Sequence, residues 1–224
     1  MRALRSSRAA KFAAVTAVAL GLAAGATGSA NAATHTSPWL TGAQMPQSGA
    51  FHWQAEPKTR HTTTAEFQWL FTCGYDKRPA HELGTSSISV EQFATKAHLV
   101  QGSQVLFHFS SAAKAKTALA RIESDYAHCA NLVDRGPVDY DLHKHVHASV
   151  TRTAWITQGV SYRLEIRNAA GRPGNIPDLP SDAQEFFVQR GDTISFVQIE
   201  GTNAHLDVAT GSLNVLKTMA ARLG

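Results

Sequence analysis

The sequence predicts an α+β fold, in which an antiparallel β-sheet carries two main helices and leaves room for a cleft in a single domain. Apolar and polar residues alternate strictly over residues 160–167, as in a strand with one buried face. Residues 111–131 show the helical spacing of one apolar face. Short turns join successive strands in the order ββαβββββα, which favours an antiparallel sheet with both helices on one face over a doubly wound parallel sheet.

The first 32 residues have the pattern of a secretory signal peptide. Four basic residues come first: Arg2, Arg5, Arg8 and Lys11. An apolar run over residues 12–24 follows, and Ala30-Asn31-Ala32 fits the small-x-small cleavage rule. No cysteine follows that site directly, and no later apolar run reaches the roughly 18 residues of a membrane span. We therefore expect a secreted, extracellular protein without a membrane anchor.

The charge balance excludes nucleic-acid binding through bulk charge. The chain carries 21 basic and 17 acidic residues, but four of the basic ones and none of the acidic ones precede residue 33. The remainder is therefore close to neutral. Binding to nucleic acid by bulk charge needs a basic patch or stripe, and the sequence has neither.

The remaining chain divides into a segment at residues 33–66 and a domain at residues 67–224. The segment is rich in Thr, Ser, Pro and His, which predicts an irregular stretch partly packed on the domain, with Trp39 and Trp53 as anchors. In the domain we expect strands near residues 86–95, 98–109, 140–156 and 160–167, and a hairpin of 186–189 with 193–200 around Gly191-Asp192. Helices are expected at residues 111–131, capped by Ser110 or Ser111, and at 207–223.

The two cysteines, Cys73 and Cys129, are expected to pair in an exported protein. Cys73 follows an apolar cluster, and Cys129 lies on the apolar face of the predicted first helix. The alternative is a reactive catalytic thiol, for which no neighbouring signature is present.

We predict that peptide mapping of the unreduced protein finds the Cys73 and Cys129 peptides linked. The chain-entropy model gives such a bond about 4 kcal/mol of stabilisation, because it constrains the unfolded chain. Two thiols that react freely with an alkylating reagent in the native protein would contradict the prediction.

A run of alternating histidines is the candidate metal site. His143, His145 and His147 would project from one face of a strand, and neutral imidazole suits both Zn and Cu. The alternative is an ordinary solvated strand face. Three ligands on one strand cannot close a tetrahedron, so we expect no resident cofactor, with Zn or Cu as the alternative that metal uptake would reveal.

No motif supports catalysis, so no catalytic residue is predicted. The sequence lacks a nucleophile elbow, a P-loop and a dinucleotide fingerprint. Arg190-Gly191-Asp192 matches the integrin-recognition tripeptide, but Gly-Asp is also good chemistry for a tight turn. Trp155 and Tyr162 are expected to pack on the sheet. If the cleft takes a ligand, Trp155 and His147 are the candidates for lining it.

Several segments together resemble the PknH-like extracellular sensor-domain family of actinobacteria. They are the Phe-Thr-Cys-Gly stretch at 71–74, the strand at 88–95, the sequence from Phe107 through the helix to Cys129, and the hairpin that starts at Arg190. The resemblance spans residues 38–224. It implies an antiparallel sheet flanked by helices, a cleft and a role in ligand sensing, and it supplies no catalytic residues. This chain departs from the kinase member because it has one cysteine pair and no kinase domain.

The sequence thus favours a secreted sensor-like or ligand-binding protein without catalytic activity. The expected partner is a small molecule or a cell-envelope component, with no nucleic acid and no membrane, and the expected state is a monomer. Two alternatives stay open. One is an extracellular histidine-rich metal-binding protein, and the other is a secreted hydrolase or an inhibitor of one.

Overall fold

The structure is a computed structural model that describes the backbone of residues 37–61, 68–70, 77–96, 100–128, 146–168, 182–201, 206 and 211–224. Side chains are described for the same residues except 60–61, 68–70, 77–79, 146–148 and 166–168. The chain divides into two compact units, residues 1–34 and 35–224, and every described residue belongs to the second.

One antiparallel sheet dominates the described part of the chain. The strands are β1 (Gln54–Ala55), β2 (Thr59–His61), β3 (Gln68–Leu70), β4 (Lys77–Pro79), β5 (Thr85–Ala94), β6 (Val100–Phe109), β7 (Val146–Ile156), β8 (Gly159–Asn168), β9 (Asp182–Arg190) and β10 (Thr193–Gly201). Their order in the main sheet is β1-β5-β6-β10-β9-β8-β7, and β2 also pairs with β5. Strands β3 and β4 form a separate two-stranded sheet. Each pairing in both sheets is antiparallel, which confirms the predicted fold class.

Three α-helices lie in the described ranges, together with two 3₁₀ turns at Gly42–Gln44 and Ala80–Leu83. They are α1 (Ser48–Phe51), α2 (Ala112–Ala127) and α3 (Ser212–Arg222). Four described strands separate α2 from α3, where the sequence predicted five. No helix among the described residues is long and apolar enough to cross a membrane.

The two long helices cover opposite faces of the sheet. Phe186 and Phe187 are neighbours in β9, so their side chains point to opposite faces. Phe187 is buried in one apolar cluster with Ile122 of α2, and Phe186 is buried in a second cluster with Leu216 of α3. The expectation that both helices share one face is therefore wrong. The physical reason is that β9 and β10 are apolar on both faces, so each face must be covered.

Helix α2 forms where the sequence predicted a helix. The Ser111 side chain accepts a hydrogen bond from the backbone N–H of Lys114, which caps the first turn. The buried residues recur at helical spacing along one face: Ala115, Ala118, Leu119, Ile122 and Tyr126. This face packs against β6, β9 and β10.

The described part of the N-terminal segment, residues 37–61, packs on the α3 face. Trp53 is buried, and its indole N–H donates to the carbonyl of Pro46 at 2.8 Å. Its ring lies against Gly102 of β6, where an added Cβ would come within 3.0 Å of the ring. Trp39 is half-buried, with the Lys58 ammonium 5.5 Å from its ring centroid. Lys58 also pairs with the buried Glu91 at 2.8 Å, which ties the segment to β5.

Candidate functional site

A groove of about 590 Å³ lies between the C-terminal half of α2 and strands β7 and β8. Its lining residues are Ala120, Glu123, Ser124, Tyr126, Ala127, Val150, Arg152 and Tyr162. The volume falls within the range of small-molecule sites. The groove opens on the sheet face that α2 covers, at the end of the sheet where β7 lies.

A β-bulge in β7 arranges the strand wall of the groove. Arg152 pairs with Tyr162 across the strands, whereas Ala154 pairs with Ser161, so Thr153 is the extra residue. The Thr153 and Ser161 hydroxyls lie 2.8 Å apart. The extra residue shifts the alternation by one position. Trp155, which pairs with Val160, therefore lies on the same face of the sheet as Arg152.

Two stacked tyrosines form the aromatic floor of the groove. The rings of Tyr126 and Tyr162 have centroids 4.3 Å apart and are tilted by 18°. The Tyr126 hydroxyl donates to the carboxylate of Glu185, which is fully buried in β9. The side-chain amide of Gln198 donates to the other oxygen of Glu185 at 3.1 Å. This network holds Tyr126 in place, because moving the ring would break a buried hydrogen bond.

The hydroxyl of Tyr162 has no hydrogen-bond partner within the described part of the chain. Burial and, to a smaller extent, the nearby charge of Glu123 raise the pKa of Tyr162, the charge of Arg152 lowers it, and the net result is a pKa of about 12. The hydroxyl therefore keeps its proton at neutral pH. It is a hydrogen-bond donor on a residue that borders the groove.

Two opposite charges border the groove without pairing with each other. Arg152 of β7 and Glu123 of α2 are both exposed, and among the described residues neither has an ion-pair partner within 4.0 Å. The Arg152 guanidinium lies over the Trp155 ring, 5.0 Å from its centroid. Trp155 is 67% exposed, and it is one of two large apolar side chains exposed in the described part of the chain.

A second carboxylate lies near Glu185. Glu200 of β10 accepts from the Gln198 amide at 3.4 Å, and burial raises the pKa of its carboxyl. Neither Glu185 nor Glu200 is among the lining residues, and Tyr126 links the groove to this network. The lining thus presents an aromatic floor, the hydroxyls of Tyr162 and Ser124, one cation and one anion, which is chemistry suited to recognition.

The structure places the residues predicted from sequence in different ways. Tyr162 packs on the sheet as expected, but the same expectation is wrong for Trp155, because the bulge leaves its ring exposed beside Arg152. His147 lies in β7 opposite Arg167, and its side chain is not described. His143 and His145 lie outside the described residues, as do Cys73 and Cys129. The disulfide and the metal site therefore stay predictions.

Within the described residues there is no group of three or more His, Cys, Asp or Glu side chains that could hold a metal ion. The predicted turn at Gly191-Asp192 is confirmed, with Gly191 at φ 57° in the left-handed region.

Sequence reasoning did not single out Arg152, Glu123 or Tyr126 for the site. Their proximity depends on strand register and on the position of α2, and local sequence patterns carry neither.

Comparison with known proteins finds a distant likeness among solved structures. No protein-family model matches the chain, and no curated protein matches it significantly. Among solved structures, the extracellular domain of PknH from Mycobacterium tuberculosis is similar at 12% sequence identity and a TM-score of 0.47. The match covers 76% of this chain and 82% of that chain. Because identity and TM-score are this low, the function has to be derived from the groove itself.

Proposed function

We propose that this is a secreted protein that binds a small ligand in the groove between α2 and β7–β8 and performs no chemistry on it. The observation that carries the proposal is that three polar groups without an ion-pair or hydrogen-bond partner border the same groove. Arg152, Glu123 and the Tyr162 hydroxyl all border the groove, and none has an ion-pair or hydrogen-bond partner among the described side chains.

Desolvating polar groups costs free energy unless a partner compensates them. A ligand that supplies those partners would recover this cost while burying its own apolar body against the tyrosine floor. The rigid sheet and the Tyr126–Glu185 hydrogen bond hold the floor in place before a ligand arrives, which reduces the ordering cost of binding. Export is supported by the basic, apolar and small-residue pattern of residues 1–32.

The role is that of a binding or sensor-like protein of the cell exterior, with a small metabolite or a cell-envelope fragment as the ligand class. The Ser124 hydroxyl borders the groove, but no described histidine or carboxylate is paired with it. Acyl transfer by a serine depends on such a base. The groove therefore supports binding better than hydrolysis.

The proposal predicts that the protein purified from culture supernatant gains thermal stability from a ligand without turning it over. Melting temperatures would be measured against a panel of metabolites and cell-envelope fragments, with product analysis of every hit. The stabilisation should follow RT ln(1 + [L]/Kd). Trp155→Ala should weaken the hits, whereas Leu213→Ala, at the other large exposed apolar side chain, should not.

The outcomes separate the parts of the proposal. Reproducible turnover of a hit, abolished by a single substitution in the groove, would overturn the binding-only role. Hits whose affinity is unchanged in Trp155→Ala and in Arg152→Gln would place the site elsewhere. Retention of residues 1–32 in the mature product would overturn secretion by signal cleavage.

A further inference from the structure

The groove carries two unpaired charges of opposite sign, on different elements. Arg152 projects from strand β7, and Glu123 projects from helix α2. An ion pair between exposed side chains stabilises a protein only slightly, so both charges can stay available to a ligand at little cost. Here they do not approach within 4.0 Å of each other.

The position of Arg152 is set by two neighbours. Its guanidinium lies over the Trp155 ring, and its cross-strand partner is Tyr162. A guanidinium that contacts an aromatic ring keeps its N–H donors, and those form the planar fork that matches a carboxylate. The Tyr162 hydroxyl supplies a further donor on the neighbouring strand. The charges of both Glu123 and Arg152 act on that hydroxyl, so a cation, an anion and a donor lie close together in the groove and suit a ligand that carries both charges.

We propose that the groove binds a zwitterion, with a ligand carboxylate on Arg152 and the Tyr162 hydroxyl and a ligand ammonium on Glu123. This inference rests on the proposed binding role of the groove and names its ligand class: a free amino acid or a short peptide with both termini free. A purely anionic ligand would leave the Glu123 carboxylate desolvated without a partner, and it would meet like-charge repulsion. A purely cationic ligand would leave the Arg152 guanidinium desolvated without a partner and would be repelled by its charge.

The rest of the groove suits the body of such a ligand. The tyrosine floor and the exposed Trp155 ring offer aromatic surfaces, and Ala120, Ala127 and Val150 are small or aliphatic. A volume of about 590 Å³ is enough for more than a single amino acid. An aromatic side chain on the ligand would add stacking to the charge pairing.

The test uses phenylalanine, Ala-Phe and Ala-Ala-Phe, each in four forms: free, N-acetylated, C-amidated and blocked at both ends. The three lengths vary the separation between the charges. Binding to the secreted protein would be followed by calorimetry and by tryptophan fluorescence. At one length or more, the free form should bind at least about tenfold more tightly than either singly blocked form, as expected for the loss of one charged hydrogen-bond pair.

Two variants test which residue of the groove binds each charged end of the ligand. Arg152→Gln should remove the preference for a free carboxylate and keep the preference for a free amine, and Glu123→Gln should do the reverse. Lys116→Gln, at an exposed position of α2 outside the groove lining, should change neither preference. Melting temperatures of all three variants establish that they are folded.

The outcomes distinguish the zwitterion inference from the proposed binding function. Equal binding of free and blocked forms, or preferences that persist in both groove variants, would overturn the zwitterion inference. If none of the peptides binds while other compounds in the broad screen do, the inference fails and the binding function stands. If nothing binds in either experiment, both fail.

Discussion

Replacing Phe187 with alanine is expected to lower the free energy of unfolding by about 3–5 kcal/mol, the usual cost of removing a buried phenylalanine ring. Phe187 is fully buried in β9. Its ring stacks on Phe196 with centroids 4.6 Å apart and meets the Tyr126 ring edge-on at 5.5 Å. The rigid strands on either side cannot collapse to fill the space, so the variant should contain a cavity beneath the groove floor.

Phe186→Ala is the matched control. It removes the same ring from the adjacent position of the same strand, but on the face that α3 covers. Urea unfolding should show a similar loss of stability in both variants with little change in the slope. Affinity of a groove ligand should fall only in Phe187→Ala. A loss below about 1 kcal/mol, or equal weakening of ligand binding in both variants, would contradict the role given to the α2-side cluster.

The elements that local pattern determines were predicted well from sequence. The strict alternation at residues 160–167 marks β8, and its apolar residues Val160, Tyr162 and Leu164 lie together in the cluster on the α2 face. The hairpin of β9 and β10 turns at Gly191, where a left-handed conformation is needed. Helix α2 begins at a serine cap and carries one apolar face. In each of these cases the physical cause lies within a few residues of the feature.

The placement of the helices was not predictable in the same way. A helix with one apolar face can pack on either side of a sheet, and local alternation does not say which side. The deciding information is that β9 and β10 bury residues on both faces, as in Phe186-Phe187-Val188. A run of this kind signals a strand covered on both sides, and that signal was present in the sequence.

The candidate site depended on features that sequence patterns do not encode. The bulge at Thr153 shifts the alternation of side chains between the two sheet faces, so Arg152 and Trp155 lie on the same face. The residue types around Thr153 do not predict this extra residue. Glu123 and Arg152 lie on different elements, and local sequence patterns do not determine how the chain between them folds. Of the two residues named from sequence for lining a cleft, Trp155 lies beside the groove lining, and the side chain of His147 is not described.

Tyr126→Phe is expected to destabilise the protein by about 1.5–3 kcal/mol, whereas Tyr162→Phe should change stability by less than about 0.5 kcal/mol at neutral pH. The two rings stack on each other, so each substitution keeps the stack and removes only a hydroxyl. The Tyr126 hydroxyl donates to the fully buried Glu185, and its loss leaves that carboxyl without this donor. The Tyr162 hydroxyl has no partner among the described residues to lose.

For ligand binding and for stability at alkaline pH the expectation is reversed: Tyr162→Phe should change both properties, and Tyr126→Phe should change neither. Because the folded pKa of Tyr162 is about 12 and its ordinary value is 10.0, the unfolded chain releases this proton first as the pH rises. The stability that the protonated hydroxyl contributes is complete below pH 10.0 and is lost between pH 10.0 and about 12. Tyr162→Phe should remove that part of the alkaline loss and weaken groove ligands that accept its hydrogen bond. Tyr126→Phe should keep both properties. Equal stability losses at neutral pH, or an unchanged alkaline profile in Tyr162→Phe, would show that the two hydroxyls do not divide structure and recognition between them.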